Sequence, residues 1–307
     1  MRRCMKDLRL CAVLLCLSLC LLLGSCSFSL EDAMVRLKAY INGTEVYTPP
    51  EDFVESREND LFTYDVYETY VVLTGYLGEG KSVTVPGKLD GLPVTTIGEL
   101  AFYYGTAVEN VILPDSVTTL EENAFYYCRA LKSIAMTDSI TSIGEKCFSW
   151  CSSLYAVRLP KTMTAIPAYC FNECTSLEMV VMPEGIASVG TRAFSGCSSL
   201  PGLSFGEGMT SLGNLAFRGC TSLTTVRLPG ACEVGEDPFE GCGEALAVST
   251  AKNSACWTAL TEQGMRPTED GTALRLPTQE ELDAENQEEP SDSSDTSEEE
   301  TNTDTEE

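Results

Sequence analysis

The sequence of 307 residues contains no histidine. This absence excludes the Ser-His-Asp and Cys-His arrangements that activate a nucleophile, and it excludes every His-containing zinc or haem site. It also removes the side chain that most often acts as a general base near neutral pH. P-loop, nucleophile-elbow and dinucleotide-binding motifs are absent as well. We therefore expect no enzyme, no cofactor and no metal site.

Positive charge is scarce: 20 lysines and arginines face 46 acidic residues, for a net charge of −26. Such a balance disfavours binding to nucleic acid. The acidity is concentrated in residues 267–307, which hold 16 acidic residues and one basic residue. Because this segment has few large apolar side chains, it cannot offset the entropy cost of folding. We predict that 267–307 is a disordered acidic tail.

The first 26 residues have the layout of an export signal. A basic start (Arg2, Arg3, Lys6 and Arg9) precedes an apolar run over 10–23, which is too short for a comfortable membrane span. The end of this segment, Leu23-Gly24-Ser25-Cys26, resembles the lipobox of bacterial lipoproteins. That resemblance implies a signal peptide over 1–25 and lipidation of Cys26, although an ordinary secretory signal remains the alternative.

Residues 26–66 are predicted to be a tether. Within it, Asn42-Gly43 lies between two alternating segments, which is a signal for a type I′ turn. We expect a small hairpin there.

One phenylalanine recurs every 23 residues over six positions and once more after 22, at Phe102, Phe125, Phe148, Phe171, Phe194, Phe217 and Phe239. A period between 20 and 29 residues is typical of leucine-rich-repeat solenoids. If positions are counted from this phenylalanine, position +3 is Gly105 in the first unit and cysteine in the others: Cys128, Cys151, Cys174, Cys197, Cys220 and Cys242.

Positions +9 and +11 are apolar in six of the units, as in Val157 and Leu159. This spacing predicts a short strand with both side chains pointing inward, ended in several units by a proline. The segment around each phenylalanine favours one helical or 3₁₀ turn on the opposite side. One unit cannot bury its own apolar face, so the seven units are expected to stack.

The string L-x-x-V-x-L-P, followed by V-x-x-I-G-x-x-A-F-x-x-C, resembles the bacterial leucine-rich repeat of BspA-like surface proteins, also known from a treponemal antigen. The resemblance covers roughly residues 70–267. It implies a strand-rich α/β fold, a right-handed leucine-rich-repeat solenoid of seven units with N- and C-terminal caps over 67–266. It also implies a binding role at the cell surface and no catalytic residues.

Cysteines at 147, 151, 170 and 174 form a C-x₃-C-x₁₈-C-x₃-C pattern that is close to a zinc motif. The 23-residue period already explains most of this spacing, because Cys151 and Cys174 occupy the same position in successive units. Reduced thiols in the core are the favoured interpretation. A Cys147–Cys170 disulfide and a metal site are the alternatives.

Two sets of surface residues are candidates for binding. On the outward strand face, Tyr155, Met179 and Val181 with Arg158 are predicted to form an apolar centre with a charged edge, as an interaction site requires; an ordinary mixed sheet face is the alternative. Aromatic residues follow the phenylalanine in the first three units, at Tyr103, Tyr104, Tyr126, Tyr127 and Trp150. They suit either a binding hot spot or packing beneath the N-terminal cap, which we favour.

These features lead to the hypothesis of a lipid-anchored protein outside the cytoplasm, held at the cell membrane, that binds a protein or glycan through its solenoid face. The alternative is a passive envelope scaffold without a dedicated ligand.

Overall fold

The structure is a computed structural model that describes residues 50–288. The chain divides into two compact units, Met1–Glu51 and Asp52–Glu307, and the described residues fall almost entirely in the second. The predicted signal peptide (1–25), the lipidation site at Cys26, the hairpin around Asn42-Gly43 and residues 289–307 of the predicted tail lie outside the described residues.

Residues 50–288 form short strands joined by turns, with two helices at the C-terminal end. The elements are β1 Phe53–Glu58, β2 Phe62–Tyr67, β3 Val71–Tyr76, β4 Ser82–Thr84, β5 Lys88–Leu89, β6 Leu92–Ile97, β7 Asn110–Ile112, β8 Thr119–Leu120, β9 Ser133–Ala135, β10 Ser142–Ile143, β11 Ala156–Arg158, β12 Ala165–Ile166, β13 Met179–Val181, β14 Ser188–Val189, β15 Gly202–Ser204, β16 Ser211–Leu212, β17 Thr225–Arg227, β18 Glu233–Val234, β19 Ala247–Ser249, α1 Ala255–Glu262, β20 Arg266–Pro267, β21 Leu274–Arg275 and α2 Gln279–Glu288.

One side of the solenoid, which we call the strand face, carries β4, β7, β9, β11, β13, β15, β17 and β19. Parallel pairings join β4, β7 and β9, then β11 and β13, then β15, β17 and β19. Between regular units the paired residues are 23 positions apart, as in Ala156↔Met179. Positions +9 and +11 point inward: Val157 and Leu159 are each 2% exposed. The structure therefore confirms the predicted leucine-rich-repeat solenoid. It has about eight turns, because β4 of the N-terminal cap adds a turn without the repeating phenylalanine.

A second row of parallel strands runs along another side of the turns, in two paired groups: β6, β8 and β10, and β12, β14, β16 and β18. It is formed by residues such as Ser188 and Val189, which pair with Ser211 and Leu212 of the next unit. Val189 and Leu212 are buried in the core, whereas Ser188 and Ser211 are partly exposed. Because both ladders advance by one period per unit, the side chains of each repeat position lie in continuous columns through the core.

The segments around the phenylalanines form hydrogen-bonded turns, rather than the helical or 3₁₀ turn expected from the sequence. Positions −2 and +2 have positive φ, as in Asn123 (58°) and Tyr127 (64°). A residue in the left-handed region cannot continue a right-handed helix. The turns bond to the next unit instead, with the Phe125 N–H donating to the Cys147 carbonyl at 2.9 Å.

The repeating phenylalanines form one buried column. Consecutive ring centroids lie 4.8 to 5.6 Å apart. Tyr76 of β3 continues the column at 5.6 Å from Phe102. The aromatic stack therefore extends into the N-terminal cap, where the sequence repeat is no longer visible.

The cysteines of position +3 form a second buried column beside the rings. Each thiol donates to the carbonyl of the phenylalanine one unit earlier, as Cys151 does to Phe125 at 3.2 Å and Cys174 to Phe148 at 3.1 Å. A small side chain with a weak donor fits this position. The ten cysteines of residues 50–288 are free thiols, and among the same residues no group of potential ligands could hold a metal ion.

The N-terminal cap begins earlier than predicted. Strands β1 and β2 lie in the segment assigned to the tether (26–66), yet they pair with each other and, through β2, with β3. Phe62 and Tyr64 of β2 are buried at 3% and 4% exposure. The predicted boundary at residue 66 is therefore too late, because an antiparallel cap has no 23-residue period to mark it.

The C-terminal cap also extends beyond its predicted end at residue 266. Strand β21 lies in the predicted tail but pairs with β19, the last strand of the strand face, and with β20. Leu274 is fully buried, and Arg275 forms an ion pair with Glu281 at 2.7 Å. One buried leucine and two strand pairings thus order the first residues of a segment whose composition predicted disorder.

Candidate functional site

The strand face carries an exposed apolar patch at its middle. The patch consists of Tyr155, Met179 and Val181, and we call it the strand patch. These side chains are 55%, 57% and 50% exposed. Parallel pairing of β11 and β13 places them together, since Arg158 is opposite Val181 and Ala156 is opposite Met179. The structure thus brings together the residues that the sequence singled out.

Arg158 lies at the edge of the strand patch and is already paired. Its Nη2 donates to both carboxylate oxygens of Asp138, at 2.9 and 3.0 Å. This guanidinium, with the Lys161 backbone N–H, lowers the pKa of Asp138. The edge of the patch is therefore polar but locally neutral, and it leaves the apolar side chains as the accessible feature.

The sheet is interrupted next to the strand patch. The Tyr155 carbonyl accepts from the N–H groups of Glu178 and Met179 at 2.9 and 3.1 Å. Pro201 occupies the position of Glu178 in the next unit and has no N–H to repeat the first of these bonds. Among the described strands, no pairing joins β13 to β15, and none joins β9 to β11 on the other side of the patch.

A shallow groove lies at this interruption. Val180 of β13 is only partly buried, whereas the corresponding Val157 and Val226 are 2% and 1% exposed. The groove is lined by Tyr155, Glu178, Met179, Ser199, Pro201 and Ser222. Glu178 and Pro201 were not selected from the sequence. The sequence feature that could have identified this groove is the proline at position 201, directly before a regular strand.

A row of charges borders the N-terminal part of the strand face. Glu109 lies between Lys81 and Lys132, at 2.7 and 2.6 Å. Hydrogen bonds from the two ammonium groups lower the pKa of Glu109 to about 2. Ile112, which is 52% exposed, is the exposed apolar residue nearest in sequence to this row.

The aromatic residues of the first three units form a ridge on the turn side of the solenoid. Tyr103 stacks on Tyr126 with centroids 5.9 Å apart, and Tyr104 stacks on Tyr127 at 5.1 Å. Trp150 follows Tyr127 at 5.8 Å. Tyr104 is 43% exposed and the others are partly exposed. We call these five residues the aromatic ridge, and its rings pack on one another along the array.

Arg129, which sequence reasoning did not select, covers part of this ridge. Its guanidinium carbon lies 4.2 Å from the centroid of the Tyr127 ring and 5.9 Å from that of Trp150. A cation over aromatic faces at these distances is a favourable contact. The sequence feature that could have identified Arg129 is a basic residue at position +4 in a unit with aromatic residues at positions +1 and +2.

The thiols of the core have low reactivity. Cys147, Cys170 and Cys174 are fully buried, and desolvation raises the pKa of each. A thiolate is the reactive form of cysteine, so these groups are poor nucleophiles.

No helix of residues 50–288 is long and apolar enough to cross a membrane.

Comparison with solved structures supports the fold. A leucine-rich repeat protein from Eubacterium ventriosum matches with a TM-score of 0.55 and 23% identity over 74% of this chain and 56% of that one. The T. pallidum leucine-rich repeat protein matches at 24% identity and a TM-score of 0.40, covering 68% and 96% of the two chains. A leucine-rich cell surface protein from Faecalibacterium prausnitzii matches at 20% identity and a TM-score of 0.40, over 65% of this chain and 77% of that one.

A comparison with curated proteins gives no match. The family model described as the BspA type leucine rich repeat region, in six copies, matches residues 91–201 and 164–255. These matches span more than half of the chain and coincide with the stacked units of the solenoid. Period, fold and family model agree: the chain belongs to the BspA-type leucine-rich repeat family of bacterial surface proteins.

Proposed function

We propose that this protein is anchored to the cell membrane by a lipid on Cys26 and binds a protein partner through the strand patch. The observation that carries the proposal is the cluster of three half-exposed apolar side chains: Tyr155, directly before β11, and Met179 and Val181 of β13. Clustered apolar exposure on a soluble surface typically marks an interaction site. A passive scaffold would have no need of it.

The composition and setting of the strand patch suit a protein rather than a charged ligand. Tyrosine and methionine are enriched at the centres of protein interfaces. The paired Arg158 and Asp138 form a polar rim, and the groove beside Pro201 offers a recess for a side chain of the partner. An apolar centre with a polar rim is the usual anatomy of such a surface.

Changing Tyr155, Met179 and Val181 together to aspartate should abolish capture of the partner. Buried carboxylates without partners oppose association, and loss of a hot spot costs about 2 kcal/mol or more, roughly a 30-fold change in affinity. The measurement is an affinity pull-down from cells or matrix that adjoin the producing bacterium, followed by titration of the captured protein.

A matched control is available on the N-terminal cap. Val54, Leu61 and Leu77 are 55%, 49% and 52% exposed. Their change to aspartate adds the same charge to the same chain and should leave binding intact. Equal loss in both triple variants would contradict the strand patch, and a protein that captures nothing would favour the passive scaffold.

Replacing Cys26 with serine should release the protein from membranes, because the thiol is the acceptor for the lipid. Stable anchoring needs more than one acyl chain, which a lipoprotein N-terminus provides. Fractionation of producing cells measures the change, with Cys20→Ser as the matched control in the same segment. Retention of the Cys26→Ser protein in the membrane fraction would contradict the anchor and leave the strand patch untouched.

A further inference from the structure

Position +2 of the turn forms one column along the whole solenoid. In chain order it holds three aromatic residues, one glutamate and three glycines: Tyr104, Tyr127, Trp150, Glu173, Gly196, Gly219 and Gly241. All seven have φ between 58° and 75°. Glu173 lies at the centre of the column, with bulky side chains on one side of it and none on the other.

The backbone alone favours glycine throughout this column. A residue with a side chain costs roughly 1–2 kcal/mol in the left-handed region, whereas glycine adopts it freely. Stacking of neighbouring rings returns about 0.5–1.5 kcal/mol per pair, so local packing at best offsets the strain. The three aromatic residues therefore stand at positions where glycine would satisfy the fold, and they are exposed in part.

The glycine half of the column is a furrow. Its lining is Glu173, Ser195, Gly196, Arg218, Gly219, Glu240 and Gly241. Arg218 and Glu240 form an ion pair at 2.6 Å and make one wall. The furrow and the aromatic ridge have the same spacing between successive residues, because both consist of position +2 residues of stacked units.

Two charges near the column have no ion-pair partner within residues 50–288: Arg129 and Glu173. Arg129 lies on the ridge, next to Trp150. The Glu173 carboxyl group lies over the furrow, since a Cβ built on Gly196 would be 2.7 Å from it. Arg129 donates to the Tyr127 hydroxyl but has no carboxylate partner. Within residues 50–288 the ridge thus carries a cation without an anion, and the furrow an anion without a cation.

We propose that two copies of this chain associate across the turn side, with the aromatic ridge of each copy in the glycine furrow of the other. A two-fold axis at the level of Glu173 reverses the column. Trp150 then faces Gly196 of the second copy, Tyr127 faces Gly219 and Tyr104 faces Gly241. A two-fold contact of this kind closes on itself and stops at a dimer.

The same arrangement pairs the unpaired charges. Because Arg129 lies beside Trp150 and Glu173 covers Gly196, superposing Trp150 on Gly196 of the second copy brings Arg129 toward its Glu173. Both pairs form at once by symmetry. The turn side is separate from the strand patch, so the dimer leaves the surface of the proposed function accessible.

Sedimentation velocity of the full-length chain in a neutral detergent tests the dimer over a range of concentrations. We expect reversible association that ends at the dimer. The chain has two tryptophans, and Trp257 is already buried at 7% exposure, so association should also shift the Trp150 emission to the blue. Gly219→Asn fills the furrow with a residue that tolerates positive φ and should weaken the dimer at least tenfold.

Gly208→Asn is the matched control, because a Cβ there has no neighbour within 4 Å, and it should leave association unchanged. Arg129→Glu and Glu173→Arg should each weaken the dimer, whereas the double variant should restore it. A monomer at every concentration, a dimer that Gly219→Asn leaves intact, or a double variant no better than either single one would overturn the proposal.

Discussion

Raising the pH from 7.5 to about 9.5 should remove about 8 kcal/mol from the free energy of unfolding of the solenoid. Burial raises the pKa of six core thiols: Cys147, Cys151, Cys170, Cys174, Cys197 and Cys220. In the unfolded chain these thiols titrate near about 8.5. Above that pH the unfolded state loses protons that the folded state keeps.

The sign follows from proton binding. Where the folded state binds more protons, its stability falls as the pH rises, so the contribution of each thiol is complete below about 8.5 and is lost above it. One pH unit above the unfolded pKa costs about 1.4 kcal/mol per thiol. Six thiols together cost as much as the whole stability of a typical domain, about 5–15 kcal/mol.

Urea denaturation at several pH values, with a reductant present, measures this effect. The Cys174→Ala/Cys197→Ala double variant is the control, because it removes two of the six titrating groups. Its stability at pH 7.5 should be lower, but its loss between pH 7.5 and 9.5 should be smaller by about a third. An equal loss in both proteins would show that the buried thiols do not cause the alkaline unfolding.

Replacing Phe171 with alanine should destabilise the solenoid by about 3–5 kcal/mol, the usual cost of removing a buried aromatic ring. Phe171 is fully buried and stacks at 5.4 Å on both Phe148 and Phe194. The cavity cannot close, because the backbone ladders fix the spacing of the units. Thermal and urea denaturation measure the loss.

Tyr155→Ala provides the comparison. Tyr155 is 55% exposed on the strand face, so its removal should change stability by no more than about 0.5 kcal/mol while weakening binding through the strand patch. In a repeat array each unit contacts only its neighbours. Hydrogen exchange in Phe171→Ala should therefore rise first in the adjoining units, and a protein as stable as the wild type would contradict the role of the phenylalanine column.

The repetitive part of the fold was predictable because one period fixes every contact in it. The 23-residue step of Phe125 and Phe148 gave the stacking, the inward strand positions and the common column of cysteines. The caps were not predictable to the same degree, since β1 and β2 pair antiparallel and carry no period. The one helical or 3₁₀ turn predicted around each phenylalanine is a hydrogen-bonded turn instead, because residues with no preference for positive φ, such as Tyr127 and Trp150, adopt it there.

The surface sets were predictable in part. Alternation along the strands placed Tyr155, Met179 and Val181 outward, and the structure brings them together. Arg129 and the glycine furrow were missed, because their importance depends on which positions of different units lie side by side. The position +2 column, aromatic at one end and glycine at the other, becomes a surface only when the seven turns are stacked.

The sequence by itself determined the architecture, since a strict period leaves one way to bury Ile, Leu, Val, Phe and Cys in every unit. It also placed the chain in its family. Only the tertiary structure decided where the array begins and ends, that the strand pairing is interrupted on both sides of β11 and β13, and which side chains are left at the surface. The physical reason is that local repeats fix contacts between neighbouring units, whereas caps and surfaces depend on contacts that occur once.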